Sequence, residues 1–336
     1  MVSGDAGRPV TIDDVATQAQ VSRATVSRVM NGLATVDPAI AERVRRAVEL
    51  LQYRPSETAR SLSLGRTNTV AVLVPDLANP MFQSILRGVT RAAAEDGFRV
   101  LVGDTQETPD AERDAAIQAR RRCDALVLCA PRMGETDLEA VLAAASPVAV
   151  VNRGIEAGTV PQVSMDYEQA IGLLVEHLVG LGHRHLVYAG GPPTSASNRL
   201  RGLGLDAALA RRPDLRIDRV SVGSTLEDGF ASAAQVLGTG ASAVLAFNDL
   251  VALGLLSRLR ELDVAVPERL SVVGVDDIPF ARFSTPALTT VHVPQEALGV
   301  QAWRQLHQVM RGDGAPGPLW LEGSLEVRAS TGPVPA

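Results

Sequence analysis

Arg23, Ala24, Ser27 and Arg28 fall on one outward face of a short helical pattern, with Thr25 among them. A guanidinium can take the acceptor edge of a guanine through two parallel hydrogen bonds, at roughly 1–3 kcal/mol of discrimination per pair. The hydroxyls of Thr25 and Ser27 suit phosphate or base. The first exposed residues of a recognition helix are those that meet base edges in the major groove. The chain contains no lysine, so every basic contact must be made by arginine, which forks where lysine cannot. Catalytic sets do not emerge. The five histidines show no metal spacing, and no Ser-His-Asp or Cys-His set is readable. Gly190-Gly-Pro-Pro193 and Gly202-Leu-Gly204 fit neither the dinucleotide fingerprint nor the phosphate loop. His183 and His185 flank an arginine before a strand and read as surface residues. No enzyme activity, cofactor or metal is expected.

The elements that would position these arginines are readable nearby. Thr11 is a suitable N-cap, with Asp14 three residues on to reach back. Ile12, Val15, Ala16 and Ala19 make one apolar face. Gln20-Val21 reads as a tight turn, and Ser22 caps a second helix from Arg23 to Met30 whose Val26, Val29 and Met30 face inward. Asn31-Gly32 stops it. Asp37 and Pro38 start a third helix, over residues 38–51. Two short helices joined by such a turn fit a helix-turn-helix.

Beyond residue 67 short apolar runs alternate with amphipathic stretches. Strands are expected over 70–74, 99–103, 125–129, 148–152, 185–189, 219–222, 243–247 and 271–275. Helices are expected between them, including 81–95, 110–121, 167–181, 199–210, 226–237 and 250–262. Repeated strand-helix-strand units imply parallel sheets with helices on both faces. The series is long enough for two such sheets, with a cleft between lobes at the carboxyl ends of the strands. The fold class is therefore an all-α helix-turn-helix head plus an α/β two-lobed body.

The net charge of −6 splits unevenly. Residues 1–66 hold nine arginines against seven acids, and residues 67–336 hold 23 against 31. The head is mildly basic and the body acidic. No signal peptide or membrane-length apolar run is evident, so a cytoplasmic protein is expected. Cys123 and Cys129, six apart near one strand, read as reduced core residues.

The string Val10-Thr-Ile-Asp-Asp-Val-Ala-Thr-Gln-Ala-Gln-Val-Ser-Arg-Ala-Thr-Val-Ser-Arg-Val-Met-Asn-Gly32 resembles the head of the LacI/GalR repressor family. The likeness continues through Leu51-Gln-Tyr-Arg-Pro-Ser56 and Ala59-Arg-Ser-Leu62. In the body it recurs at Asn79-Pro-Met-Phe82, Leu181-Gly-His-Arg184, Phe247-Asn-Asp249, Val273-Gly-Val-Asp-Asp-Ile-Pro-Phe280 and Pro286-Ala-Leu-Thr-Thr-Val291. It implies a periplasmic-binding-protein-like body, operator choice set by Arg23 and Ala24, and a homodimer on a palindromic site. Thr11, Ser22, Thr25, Ser27, Arg28, Asn31 and Tyr53 complete the expected DNA contacts of the head. A hinge helix would place Leu62 as a wedge at the central step, with Ala59 beside it in the minor groove. Ser63 stands where some relatives carry lysine. The implied layout is a tail over 1–9, a head over 10–52, a hinge over 53–66, a body over 67–330 and a tail over 331–336. One lobe would span about 67–166 plus 292–320, the other about 167–291 plus 321–330.

The resemblance also implies an effector cleft containing Met81, Phe82, Asn152, Ser197, Arg201, Asn248 and Asp276. Aspartate accepts from paired hydroxyls, arginine donates to vicinal oxygens and asparagine does both. Asn152 departs from the aspartate of several relatives. Thr225 stands where relatives place a stacking aromatic, which disfavours a flat purine and leaves a small sugar, sugar acid or sugar phosphate. The segment after Val327 lacks a leucine-rich heptad, so a dimer is expected rather than a tetramer. Effector binding would move the lobes and melt or order the hinge, with the sign of the response open. A global regulator with a phosphorylated protein as co-effector also remains open within the family.

Overall fold

The computed structural model describes residues 10–30, 36–53, 66–155 and 160–334. Two compact units divide at residue 67.

Among the described residues the first unit has three helices, α1 (Ile12–Ala19), α2 (Arg23–Met30) and α3 (Pro38–Leu50). Asp14 accepts from both the backbone N–H and the hydroxyl of Thr11, at 2.8 and 2.7 Å. Gln20 ends α1 in the left-handed region, which lets the chain turn sharply into α2. Asp37 accepts from the N–H groups of Ala39 and Ile40 at the start of α3, with Pro38 in its first turn. Val15, Ala16, Ala19, Val26, Val44 and Ala47 meet in one small core. The ring of Tyr53 lies in that core too, 9% exposed. Packing the head is thus a role of this ring that the sequence did not show.

The second unit is built on two six-stranded sheets. In order across the sheet, the first holds β11 (Leu319–Leu321), β5 (Gln162–Met165), β4 (Val148–Val151), β3 (Ala125–Cys129), β1 (Thr69–Val74) and β2 (Arg99–Asp104). The second holds β12 (Ser324–Glu326), β10 (Thr289–His292), β9 (Ser271–Asp276), β8 (Ala243–Ala246), β6 (His185–Gly190) and β7 (Arg216–Ser221). Strands β1 (Thr69–Val74), β3 (Ala125–Cys129), β4 (Val148–Val151), β8 (Ala243–Ala246) and β9 (Ser271–Asp276) are buried almost throughout. Such runs are what a parallel sheet covered on both faces requires. Among the described residues every pairing is parallel except that of β10 (Thr289–His292) with β12 (Ser324–Glu326). The chain leaves the first sheet after β5 (Gln162–Met165). It returns through β11 (Leu319–Leu321), then crosses again to β12. The helices Pro80–Glu95 and Gln295–Met310 touch backbone to backbone. A Cβ on Gly88 would run into the carbonyl of Glu296, and one on Gly299 into that of Ile85. Among the described residues no helix is long and apolar enough to cross a membrane.

Several elements differ from the expectation. β7 covers Arg216–Ser221 and not 219–222, because an edge strand keeps one face in water and its Arg-Ile-Asp start hides the alternation. β5 and β10 carry buried Gln162, Ser164, Thr289 and Thr290, so polar side chains masked them. The stretch 226–237 breaks into Leu226–Ala231 and Ala233–Gly238 at Ser232, whose hydroxyl donates to the Gly229 carbonyl. His183 is not at the surface. It is fully buried, its ring bridging Ser242, Ser271 and the carbonyl of Gly332, and burial lowers its pKa. Cys123 and Cys129 are both free and buried.

Candidate functional site

In the head, Arg23, Ala24 and Arg28 are exposed on α2, while Thr25 and Ser27 are half-buried. The Ser22 hydroxyl accepts from the Thr25 N–H at 3.1 Å and pairs with the Thr25 hydroxyl at 2.9 Å. Arg23 Nε lies 3.1 Å from Asp13 Oδ1 on α1, a contact the sequence reading missed. It aims the guanidinium from the neighbouring helix but, at an exposed site, stabilises little. Asn31, Ala59 and Leu62 lie outside the described residues.

In the body, one cavity collects residues from the carboxyl ends of β1 through β9. Asp76, Asn79, Met81 and Phe82 follow β1. Glu107 follows β2 (Arg99–Asp104), Ala130 and Arg132 follow β3, Asn152 follows β4 and Tyr167 follows β5. From the other lobe, Ser197 and Arg201 follow β6 (His185–Gly190), and Ser224 follows β7. Phe247 and Asn248 follow β8, and Asp276 ends β9. All seven residues expected in the cleft therefore line one cavity. Asp76, Asn79, Glu107, Ala130, Arg132, Tyr167, Ser224 and Phe247 were missed. Their common signal is position just beyond a strand, where open parallel sheets bind ligands.

Local structure sets each side chain. Asn79 caps the helix Pro80–Glu95 by accepting from the Met81 N–H, which seats Met81 and Phe82 at the lining. Asn152 sits at φ 55°, a left-handed position that asparagine tolerates. Its Oδ1 accepts from the Met165 N–H at 3.0 Å, and its Nδ2 is buried with no partner. Asn248 differs. Its Oδ1 accepts from the Val251 N–H and its Nδ2 donates to the Ser224 carbonyl, both at 2.9 Å, so it mainly ties a loop to a helix. The Ser197 hydroxyl pairs with that of Ser195 at 3.0 Å.

Arg201 is 2% exposed, its guanidinium 4.1 Å from the Tyr167 ring centroid and 4.5 Å from that of Phe247. Its Nε and Nη1 have no hydrogen-bond partner. Asp276 lies 3.9 Å from its Nη2, also 2% exposed, with Oδ1 unpartnered. Burial, opposed by Arg201, pushes the Asp276 carboxyl up to about 7. The turn behind it is held by Asp249, which accepts from the Ile278 N–H at 2.9 Å and the Thr290 hydroxyl at 2.6 Å. Burial raises the Asp249 pKa well above its ordinary value, and Asp276 adds to this. Thr225 is not in the lining; its hydroxyl accepts from the Asp228 N–H and caps a helix.

Residues 11–56 match the profile of bacterial regulatory proteins of the lacI family, and residues 175–331 that of a periplasmic binding protein-like domain. The transcriptional regulator GalS of Salmonella typhimurium is 32% identical over 291 residues, covering 85% of each chain. The chain belongs to the LacI/GalR family. As a LacI/GalR member it is a DNA-binding transcriptional regulator and not an enzyme. The family likeness extends to the ribose operon repressor of Escherichia coli, 32% identical over 309 residues, 86% of this chain and 89% of that one. The crystal structure of the lac repressor dimer bound to operator and the anti-inducer ONPF superimposes with a TM-score of 0.86 at 30% identity. The match covers 97% of this chain and 100% of that one.

Proposed function

We propose that this regulator represses carbohydrate-related genes, binds a palindromic operator as a homodimer, and takes a sugar or sugar derivative in the cleft between its lobes. The observation that carries the effector reading is the set of buried polar atoms left open on one lining: Asn152 Nδ2, Arg201 Nε and Nη1, and Asp276 Oδ1. A buried polar group without a partner costs about 1–3 kcal/mol. Paired hydroxyls satisfy all of them, since they accept from Arg201 and Asn152 and donate to Asp276. A flat purine fits less well, because the Tyr167 and Phe247 rings already hold Arg201 between them. The ribose operon repressor, a relative named for a sugar operon, supports the same reading.

Arg23, Ala24 and Arg28 read bases, and Thr25 and Ser27 bind phosphate or base. Leu62 wedges the centre of the site with Ala59 alongside. The lining draws on both lobes, so a ligand that closes it alters their arrangement. The response requires different effector affinities in the two arrangements.

The test is selection of bound DNA from a random pool, repeated with a panel of sugars. A palindrome should be enriched, and one sugar should change its recovery. Enrichment of no sequence overturns the operator reading; a response to purines alone overturns the sugar reading. Leu62→Ala should lose operator affinity and keep effector affinity.

A further inference from the structure

We propose that the cleft is built for an uncharged polyhydroxylated effector, and that the Glu107–Arg132 pair is what turns away the matching sugar acids and sugar phosphates. The inference rests on the sugar reading above and narrows it.

An anionic sugar is held most strongly by a guanidinium free to fork onto it. Among the described residues two guanidinium groups line the cavity, those of Arg132 and Arg201. Arg132 is already engaged. Its Nε and Nη2 donate to the two oxygens of Glu107 at 2.5 and 2.9 Å, and its Nη1 donates to the Ala130 carbonyl at 3.0 Å. The Arg132 side chain is 3% exposed. Glu107 thus occupies, in two-pronged fashion, the place that a carboxylate or phosphate would take.

Arg201 does keep open donors, but Asp276 stands 3.9 Å away. An anion held there would lie against a buried carboxyl group. Asp76 lines the same cavity, so among the described residues three carboxyl groups face two guanidinium groups. Arg153, next to Asn152, adds no cation to the lining. Its Nη1 donates to the carbonyls of Pro131 and Met133. The donors and acceptors left over are those of a neutral polyol site.

The backbone shows that the pair is placed and not incidental. Gln106 and Glu107 have φ of 51° and 56°, and Ala130 has φ of 44°. Non-glycine residues rarely hold left-handed backbone, and such positions gather at ligand sites where surrounding structure enforces them. Here the Glu107 N–H donates to the Pro75 carbonyl and the Ala130 N–H to that of Val151. Three left-handed residues therefore bring Glu107, Arg132 and the Ala130 carbonyl together at the lining.

The test is calorimetry on the full-length protein near pH 8. A panel of neutral mono- and disaccharides is titrated, each beside its aldonic acid and its terminal phosphate ester. The tightest binder should be neutral, with its charged partners weaker by at least about tenfold. Glu107→Gln, which frees the fork of Arg132, should narrow that gap by about tenfold. A melting curve establishes that the variant is folded, and the wild-type comparison stands without it. A charged sugar that binds more tightly than its neutral parent overturns the charge assignment and leaves the sugar reading intact. A gap unchanged in Glu107→Gln overturns the role of the pair. Silence from the whole panel overturns the sugar reading and this inference with it.

Discussion

Arg201 Nη2 stands 3.9 Å from Asp276 Oδ1, with both side chains 2% exposed, and the two do not close a hydrogen bond. The separation matters because both groups are out of water. A buried pair at this distance loses hydration without full recompense. A ligand oxygen that accepts from Arg201 while its hydrogen reaches Asp276 supplies what is missing. Asp276→Asn and Arg201→Ala should each weaken effector binding by roughly 2–5 kcal/mol. Asp276→Asn should leave the melting temperature of the ligand-free protein unchanged or raised. Calorimetry and thermal melts check the two halves.

The same carboxyl predicts a pH response. Its folded pKa is pushed up to about 7, against an ordinary value of 3.8. Between these values the folded chain holds a proton that the unfolded chain has lost, so stability falls as pH rises through that window. Asp249 acts in the same direction, so the comparison must be with Asp276→Asn, in which this part of the slope should vanish. A polyol that donates to Asp276 favours the ionised form. Effector affinity should therefore drop by up to about tenfold per pH unit below about pH 7. Titrations at two buffer pH values show it.

On the recognition helix, Arg28→Ala should cost about 1–3 kcal/mol of operator binding and relax one base position. Asp13→Ala removes only the exposed partner of Arg23 and should cost less than about 1 kcal/mol. Binding to operators with single base-pair changes separates the two.

Asn152→Ala should destabilise the body by about 1–3 kcal/mol, because the Met165 N–H loses its acceptor and alanine must hold φ of 55°. Asn152→Asp keeps the acceptor and should melt close to wild type. Denaturant unfolding of the two variants gives the difference.

Two glycines in helices should respond in opposite directions. Gly88→Ala meets the Glu296 carbonyl and should destabilise by about 1–3 kcal/mol. Gly172, in the helix Tyr167–Gly180, has open space where a Cβ would stand. Gly172→Ala should stabilise by up to about 1 kcal/mol. Thermal melts of the two single variants decide.

The sequence by itself determined the head and the alternation of the body. Thr11, Asp14, Asp37 and Pro38 act on neighbours within one helical turn, and the apolar spacing of Val15, Ala19 and Val26 needs no distant partner. Buried parallel strands such as residues 125–129 announce themselves as apolar runs. The cleft residues were reached through family resemblance, since nothing local links Asn152 to Arg201 or Asp276. The tertiary structure alone decided what those residues do for one another. Glu107 and Arg132 are 25 residues apart, and only the parallel order of β2, β1 and β3 lets the loops after β2 and β3 meet. Tyr167 and Phe247 lie far apart along the chain, yet both rings close on Arg201. His183 passed as a surface residue because its partners, Ser242, Ser271 and Gly332, lie far along the chain. Caps and periodicity depend on contacts a few residues apart, which a sequence displays. Charge pairing, burial and open hydrogen bonds depend on which strand ends the fold brings together.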